Sequence, residues 1–336
     1  MTRRNKVHKD KEGSMSQRLR VRLTLLVGVT LAAAIGLVLS GSALGSAAQS
    51  CGTVRLNEQA WAGSTANTYV AKYVLEKRLG CKVTITKITE IPVFQALADG
   101  KVDAVLEDWN HVDQYKQFVT KQKSVVLVRA NGLVGHIGWF IPKYLLRQYP
   151  QFKTWKGLKG KESVFKSPES GSQGMFLGGD PSYVQKDKEL IELLGLDFKH
   201  VTVGAEAAEV ARFTQQIKQR KPVIFYWWTP QYLNQQLNLA EVKLPARPKG
   251  CQDDASAGGD IKKYKCAYAA DPLNKLLSKK FVQSGSPAVK VLRNFKWSNA
   301  DQNLVAKWIA GDKVKPEAAA EKWVKANAAK VKAWLK

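Results

Sequence analysis

Twice, over a hundred residues apart, this chain runs an amphipathic helical stretch into a polar turn, then a short apolar run, then tryptophan. The first copy reads Ala98-Asp99-Gly100-Lys101-Val102-Asp103-Ala104-Val105-Leu106-Glu107-Asp108-Trp109. The second reads Lys218-Gln219-Arg220-Lys221-Pro222-Val223-Ile224-Phe225-Tyr226-Trp227-Trp228-Thr229-Pro230. Each apolar run is too brief for a helix and fits a buried strand. In open α/β sheets, ligands bind outside the carboxyl ends of the strands. Two such strands each aim an indole at a crevice, so the expected fold is two α/β lobes closing aromatic walls on one ligand. A solenoid is excluded, because it needs many copies at a short fixed period.

At 336 residues the chain can build two cores of useful size. The first 22 residues carry eight Lys/Arg against two Asp/Glu, and residues 23–39 carry no charge. A small-residue stretch, 40–48, follows. This is the order of a secretory signal peptide, with cleavage expected near Ala48. An uncleaved anchor is the rival reading, since the apolar run is just long enough to span a membrane. Met15 offers an alternative start. Lipidation at Cys51 is disfavoured, because Gln49 stands where a lipobox needs a small residue. The protein is therefore expected to be exported and extracytoplasmic, at the cell surface or in the periplasm.

Four cysteines lie beyond the leader, and an oxidising compartment pairs them. Three connectivities exist. Cys51–Cys81 and Cys251–Cys266 are favoured: the first pair sits at the starts of two neighbouring strands, the second brackets a polar, Gly-rich loop. A zinc site is the weaker reading, for no pair has C-x-x-C spacing. The net charge is +25, and about +19 without the basic leader. That suits anionic surfaces. Nucleic acid is not the expected partner, because export and the spread of lysine over many helix faces argue against it.

From residue 53 the order is strand 53–56, helix 65–79, strand 83–88, short helix 92–98 and strand 102–106, with strand-like pieces at 125–128 and 137–141. This alternation implies a parallel sheet. A second unit has a strand at 163–166, a loop at 167–174, a strand at 200–203, a helix at 205–219 and a strand at 223–227. Helices are expected at 272–281, 288–294, 299–310 and 317–335, with Trp308, Trp323 and Trp334 in a core. The domains read as 1–48 leader or anchor, 51–142 first part of lobe one, 143–245 lobe two, and 246–336 a return to lobe one. Strand 137–141 and the connector 244–250 are the expected hinge segments.

No catalytic constellation is present: there is no G-x-S-x-G, P-loop or H-E-x-x-H. No enzyme, cofactor or metal is expected. Trp61, Trp109 and Trp228 all fall where strands end, and tryptophan faces attract quaternary ammonium. Gly63, Ser64 and Thr65 open the first helix, whose free N–H groups suit a carboxylate; plain helix capping is the alternative. Ser170, Gly171 and Ser172 are expected to do the same from lobe two. Asp108 beside Trp109, and Glu107, suit a cation without a carboxylate.

At these residues the chain resembles the substrate-binding proteins of glycine betaine/proline-type ABC transporters. The resemblance spans roughly residues 53–335. It rests on Gly100-Lys101-Val102-Asp103-Ala104, Trp109, Gly138-Trp139-Phe140-Ile141-Pro142 and Trp228-Thr229-Pro230. It implies a bilobal periplasmic-binding-protein type II fold with a central cleft and hinge. It also implies a trimethylammonium cage including Trp109, Trp228 and Trp61, and a membrane permease as partner. Trp139 is either cage or hinge packing. Two departures stand out: Gln231 where some members carry His, and a lobe-two loop without the tryptophan that some members carry there. The ligand expected is glycine betaine or a related quaternary ammonium compound. The alternatives are choline, a polyamine or another amine, a basic cell-surface adhesion module, or an enzyme.

Overall fold

The computed structural model describes residues 51–251, 253 and 265–336. The leader reading of 1–48 and most of the loop between Cys251 and Cys266 lie outside the described residues.

Alternating burial makes Thr53–Asn57 a strand (β1), with Val54 and Leu56 fully buried. Ala62–Leu79 follows as α1, burying Ala66, Val70, Ala71 and Val74 along one stripe. Gly80, in the left-handed region, ends it. Then come β2 (Lys82–Thr86), α2 (Pro92–Asp99), β3 (Ala104–Asp108) and β4 (Val125–Val128). The second lobe contributes β5 (Val134–Pro142), β6 (Gly174–Gly178), β7 (Phe198–Thr202), β8 (Ile224–Thr229), β9 (Leu239–Val242) and β10 (Ala270–Pro272). β11 (Asn274–Ser278) returns to the first lobe.

The first sheet has the order β2-β1-β3-β11-β4, and the second β10-β5-β8-β6-β7 with β9 on β5. β1 runs parallel to β2 and β3, and β6 parallel to β7 and β8. The duplicated strands β3 and β8 thus sit inside two separate sheets. The C-terminal helices Asn299–Ala306 and Pro316–Ala326 pack on α1. Trp323 and Trp334 are buried with α1 in the first lobe's core, while Trp308 is half-buried at its edge.

Both expected disulfides are formed, with Cα–Cα distances of 4.8 Å for Cys51–Cys81 and 6.6 Å for Cys251–Cys266. No described helix is long and apolar enough to cross a membrane.

Three expectations need correction. The run 163–166 is not a strand but part of a 3-10 turn, Glu162–Phe165; the strand is Gly174–Gly178. The stretch 272–281 is not one helix: β11 pairs antiparallel with β3 and β4, and only Lys279–Gln283 is helical. The crossings between sheets also lie elsewhere than at the expected hinge segments. The chain passes from β4 to β5 through residues 129–133, and from β10 to β11 at Leu273. These two crossings are hydrogen-bonded together: Leu273 N–H donates to Leu133 O at 3.0 Å, and Asn131 N–H to Leu273 O at 2.8 Å. The connector 244–250 is part of neither crossing: Ala267 N–H donates to Pro245 O at 2.8 Å, and Arg247 lines a cavity with Leu273.

Candidate binding site

Strand alternation and strand ends assemble the site. Trp61 is the residue before α1, reached by the loop that leaves the carboxyl end of β1. Trp109 follows the last residue of β3. Tyr226 and Trp228 lie two apart on β8 and so share a face. Tyr183 and Val184 arrive on the segment after β6, and Glu90 on the turn after β2. Trp61, Glu90, Trp109, Tyr183, Val184, Tyr226 and Trp228 line one small cavity. Glu90, Trp61 and Trp109 come from the first lobe, and the other four from the second.

The rings brace one another. Tyr183 meets Trp61 edge-on with centroids 5.6 Å apart, and Trp228 edge-on at 5.9 Å. Tyr226 stands 5.9 Å from Trp228. Trp227, fully buried behind, packs 4.3 Å from Trp228. Its indole N–H donates to Asn234 Oδ1 at 2.7 Å, and Asn234 Nδ2 donates back to Trp228 O at 2.9 Å. The end of β8 is thereby held in place.

One carboxylate fixes two of the indoles. Glu107 Oε1 accepts the N–H of Trp61 and of Trp109, each at 2.9 Å. Its Oε2 accepts Asn67 Nδ2 and Gln302 Nε2, each at 2.5 Å. Asn67 cannot turn its amide, because its Oδ1 accepts the Trp297 indole N–H at 2.7 Å. Burial pushes the Glu107 carboxyl up to about 7, opposed by the four N–H donors.

Other carboxylates surround the cavity. Glu206, the first residue of the helix Glu206–Lys218, accepts Ala62 N–H at 3.0 Å and Gln231 Nε2 at 3.1 Å. Burial pushes its carboxyl up to about 7, and the Glu107 carboxylate adds to the rise. Glu209, one turn on, is buried, and neither oxygen has a hydrogen-bond partner among the described residues. Burial pushes it well above the usual carboxylate range, with Glu206 adding to the rise. No lysine or arginine is among the residues lining the cavity.

The structure sorts the sequence-derived residues. Trp61, Trp109 and Trp228 are brought together. Trp139 is not: it is fully buried in the second lobe, donating to Asp187 Oδ1 at 2.6 Å and packing 4.9 Å from Phe176. Ser170, Gly171 and Ser172 precede β6 rather than follow it, so they lie at the amino ends of strands whose carboxyl ends carry the cavity. Ser170 Oγ is spent there on Ser167 O and Gln173 O. Asp108 points away from the cavity residues, accepting from Tyr115 OH and Asn110 N–H and contacting His111 Nδ1 at 3.1 Å. Ser64 Oγ accepts Gln59 N–H at 2.9 Å, and Thr65 Oγ1 donates to Glu58 Oε1 at 2.6 Å, so both serve the start of α1. Gly63 lies against Gln302, leaving room for that side chain to reach Glu107.

Four cavity residues escaped the sequence: Tyr226, Glu90, Tyr183 and its neighbour Val184. Tyr226 was signalled by alternation with Trp228. Glu90 was signalled by its place after a strand. Tyr183 sits just beyond the turn Gly178-Gly179-Asp180-Pro181, whose strand had been assigned too early in the chain.

Comparison with known proteins identifies the family and the fold. The sequence profile of the family described as the substrate binding domain of ABC-type glycine betaine transport system matches residues 52–326. A trimethylamine N-oxide-binding protein of Pelagibacter ubique is 23% identical over 303 residues, covering 86% of this chain and 93% of the relative. Among solved structures, lactococcal OpuAC, closed on glycine betaine, superposes with a TM-score of 0.63 at 22% identity, covering 84% of this chain and 99% of that one. An ABC-transporter choline binding protein in complex with choline gives a TM-score of 0.67 at 20% identity, covering 85% and 92%.

Proposed function

The chain belongs to the family of substrate-binding domains of ABC-type glycine betaine transport systems, and we propose that it captures a quaternary ammonium or related methylated-amine solute in the aromatic cavity. That family membership supports delivery to a membrane permease from outside the cytoplasm. The observation that carries the ligand reading is the cavity lined by five aromatic rings from both lobes, with carboxylates around it and no cationic side chain in its wall. A methylated ammonium cannot donate hydrogen bonds to the site, and ring faces attract it electrostatically.

The magnitudes favour five rings over three. Each cation–π contact is worth about 0.5–2 kcal/mol. Three rings give roughly 1.5–6 kcal/mol, short of the ~8 kcal/mol that micromolar binding requires. Five give roughly 2.5–10 kcal/mol and reach it without a second anchor. The ligands of the relatives (glycine betaine, choline, trimethylamine N-oxide) share a methylated nitrogen, which supports the same class.

Isothermal titration of the full-length protein with tetramethylammonium, choline, glycine betaine and trimethylamine N-oxide tests this. Binding of at least one is expected, weakened at least tenfold in Trp109→Ala and in Trp228→Ala. No heat with any of them, from protein shown by circular dichroism to be folded, would defeat the reading.

A further inference from the structure

We propose that Glu206 determines specificity by filling the anion seat at the start of α1, so that the site takes a methylated ammonium cation carrying no carboxylate; this rests on the quaternary ammonium reading above. The 18 residues of α1 present unpaired N–H groups at their start, where an anion is stabilised. In this chain that place is occupied from across the cleft. Glu206 Oε2 accepts the Ala62 N–H at 3.0 Å, and Ala62 directly follows the cavity residue Trp61. Glu206 is held there: its other oxygen accepts Gln231 Nε2 at 3.1 Å, and its own backbone N–H donates to the cavity residue Tyr183 at 3.3 Å.

Independent observations point the same way. Glu90 is buried and lines the cavity. Glu107 lies behind two of the indoles. The residues lining the aromatic cavity include no lysine or arginine, and Lys87 and Lys313 stand only in the neighbouring cavity on the outer side of Trp61, which Ala62 and Glu206 also line. A zwitterion such as glycine betaine would have to displace Glu206 and set its own carboxylate among three others. A cation ending in a hydroxyl, or in nothing polar, leaves Glu206 in place and meets Glu90 and the ring faces in the aromatic cavity. Gln231 is part of this arrangement, since it spends its amide on Glu206 and accepts Leu233 N–H at 2.6 Å.

The test titrates the full-length protein and its Glu206→Gln and Glu206→Ala variants with tetramethylammonium, choline and glycine betaine. The unsubstituted protein is expected to bind tetramethylammonium and choline at least tenfold more tightly than glycine betaine. Glu206→Ala frees the Ala62 N–H and is expected to raise glycine betaine affinity at least tenfold, a gain that structural damage would not produce. Glu206→Gln keeps the shape, removes the charge, and is expected to narrow the preference in the same direction. Tighter binding of glycine betaine than of choline by the unsubstituted protein would overturn the specificity assignment and leave the quaternary ammonium reading standing. An unchanged preference in both folded variants would also overturn it. Silence with all three ligands would remove both.

Discussion

Glu107 carries the largest share of the site's order for a single side chain. All four of its partners present N–H groups, so its ionised form is the one they fit. Burial nevertheless holds its carboxyl at about 7, against an ordinary 4.5, and Glu206 stands at about 7 beside it. Two pH effects follow. An acid whose folded pKa is raised binds its proton more tightly when folded, so the ligand-free protein is expected to lose stability as pH rises from about 4.5 to about 7. A bound cation favours the ionised carboxylates, so affinity for tetramethylammonium is expected to be at least threefold weaker at pH 5.5 than at pH 8. Glu107→Gln tests the share of this residue. The glutamine oxygen still accepts both indoles, and Gln302, whose Oε1 lacks a partner, turns to accept the new amide, but Asn67 Nδ2 is left facing that amide, donor against donor. The variant is expected to lose about 1–3 kcal/mol of stability from that unpaired donor and, where circular dichroism shows it folded, to bind about tenfold more weakly, or about 1.4 kcal/mol, with a flatter pH profile. Unaltered affinity and profile in titrations across that range would show that the carboxylate has no electrostatic role. At this scale the sequence was informative wherever a strand end placed a tryptophan. It was silent on Glu107's four bonds, because Asn67 and Gln302 come from distant helices that only the fold brings together.

Elements differ in how well their sequence shows them. β1, α1, α2 and β4 were readable because apolar period, proline and glycine agree. β11 was not, because its sequence contains Lys275, which reads as surface. Its ammonium is buried and donates to the Arg293 and Phe295 carbonyls at 2.6 and 2.5 Å, with burial pushing it down to about 7. Tertiary pairing with β3 and β4 overrides the local preference. The early assignment of β6 had a larger consequence, since it moved Ser170–Ser172 to the wrong end of the sheet; Val164-Phe165 is an apolar pair too short to decide. The crossings give a test of element placement. Gly132 has φ +95°, and a Cβ there would lie 2.2 Å from Trp297 O. Gly132→Ala is expected to cost about 2–3 kcal/mol in urea unfolding. Gly171, at φ +64° and ψ −121° with open space around it, is expected to cost about 1–3 kcal/mol as alanine through backbone strain alone and to leave ligand affinity within twofold. A tenfold loss of affinity in Gly171→Ala would restore that loop to the site.

Over the whole molecule, the two sheets are joined by two crossings that bond to each other, and the aromatic cavity is divided between the lobes those crossings connect. Separating the lobes would split the cavity; ligand favours the closed arrangement by its differential affinity for it. The duplicated strand-and-tryptophan phrase already implied this division, because each copy supplied one wall. What it left open was the chemistry of the space between, which depends on Tyr183, Tyr226, Glu90 and Glu206 and on the register of β8 against β5 and β6. The most direct test is a crystal structure of the protein grown with tetramethylammonium. The account predicts density for the cation inside the ring of Trp61, Trp109, Tyr183, Tyr226 and Trp228, with Glu206 still on the Ala62 N–H. A cation bound elsewhere, with those rings packed only on each other, would contradict it.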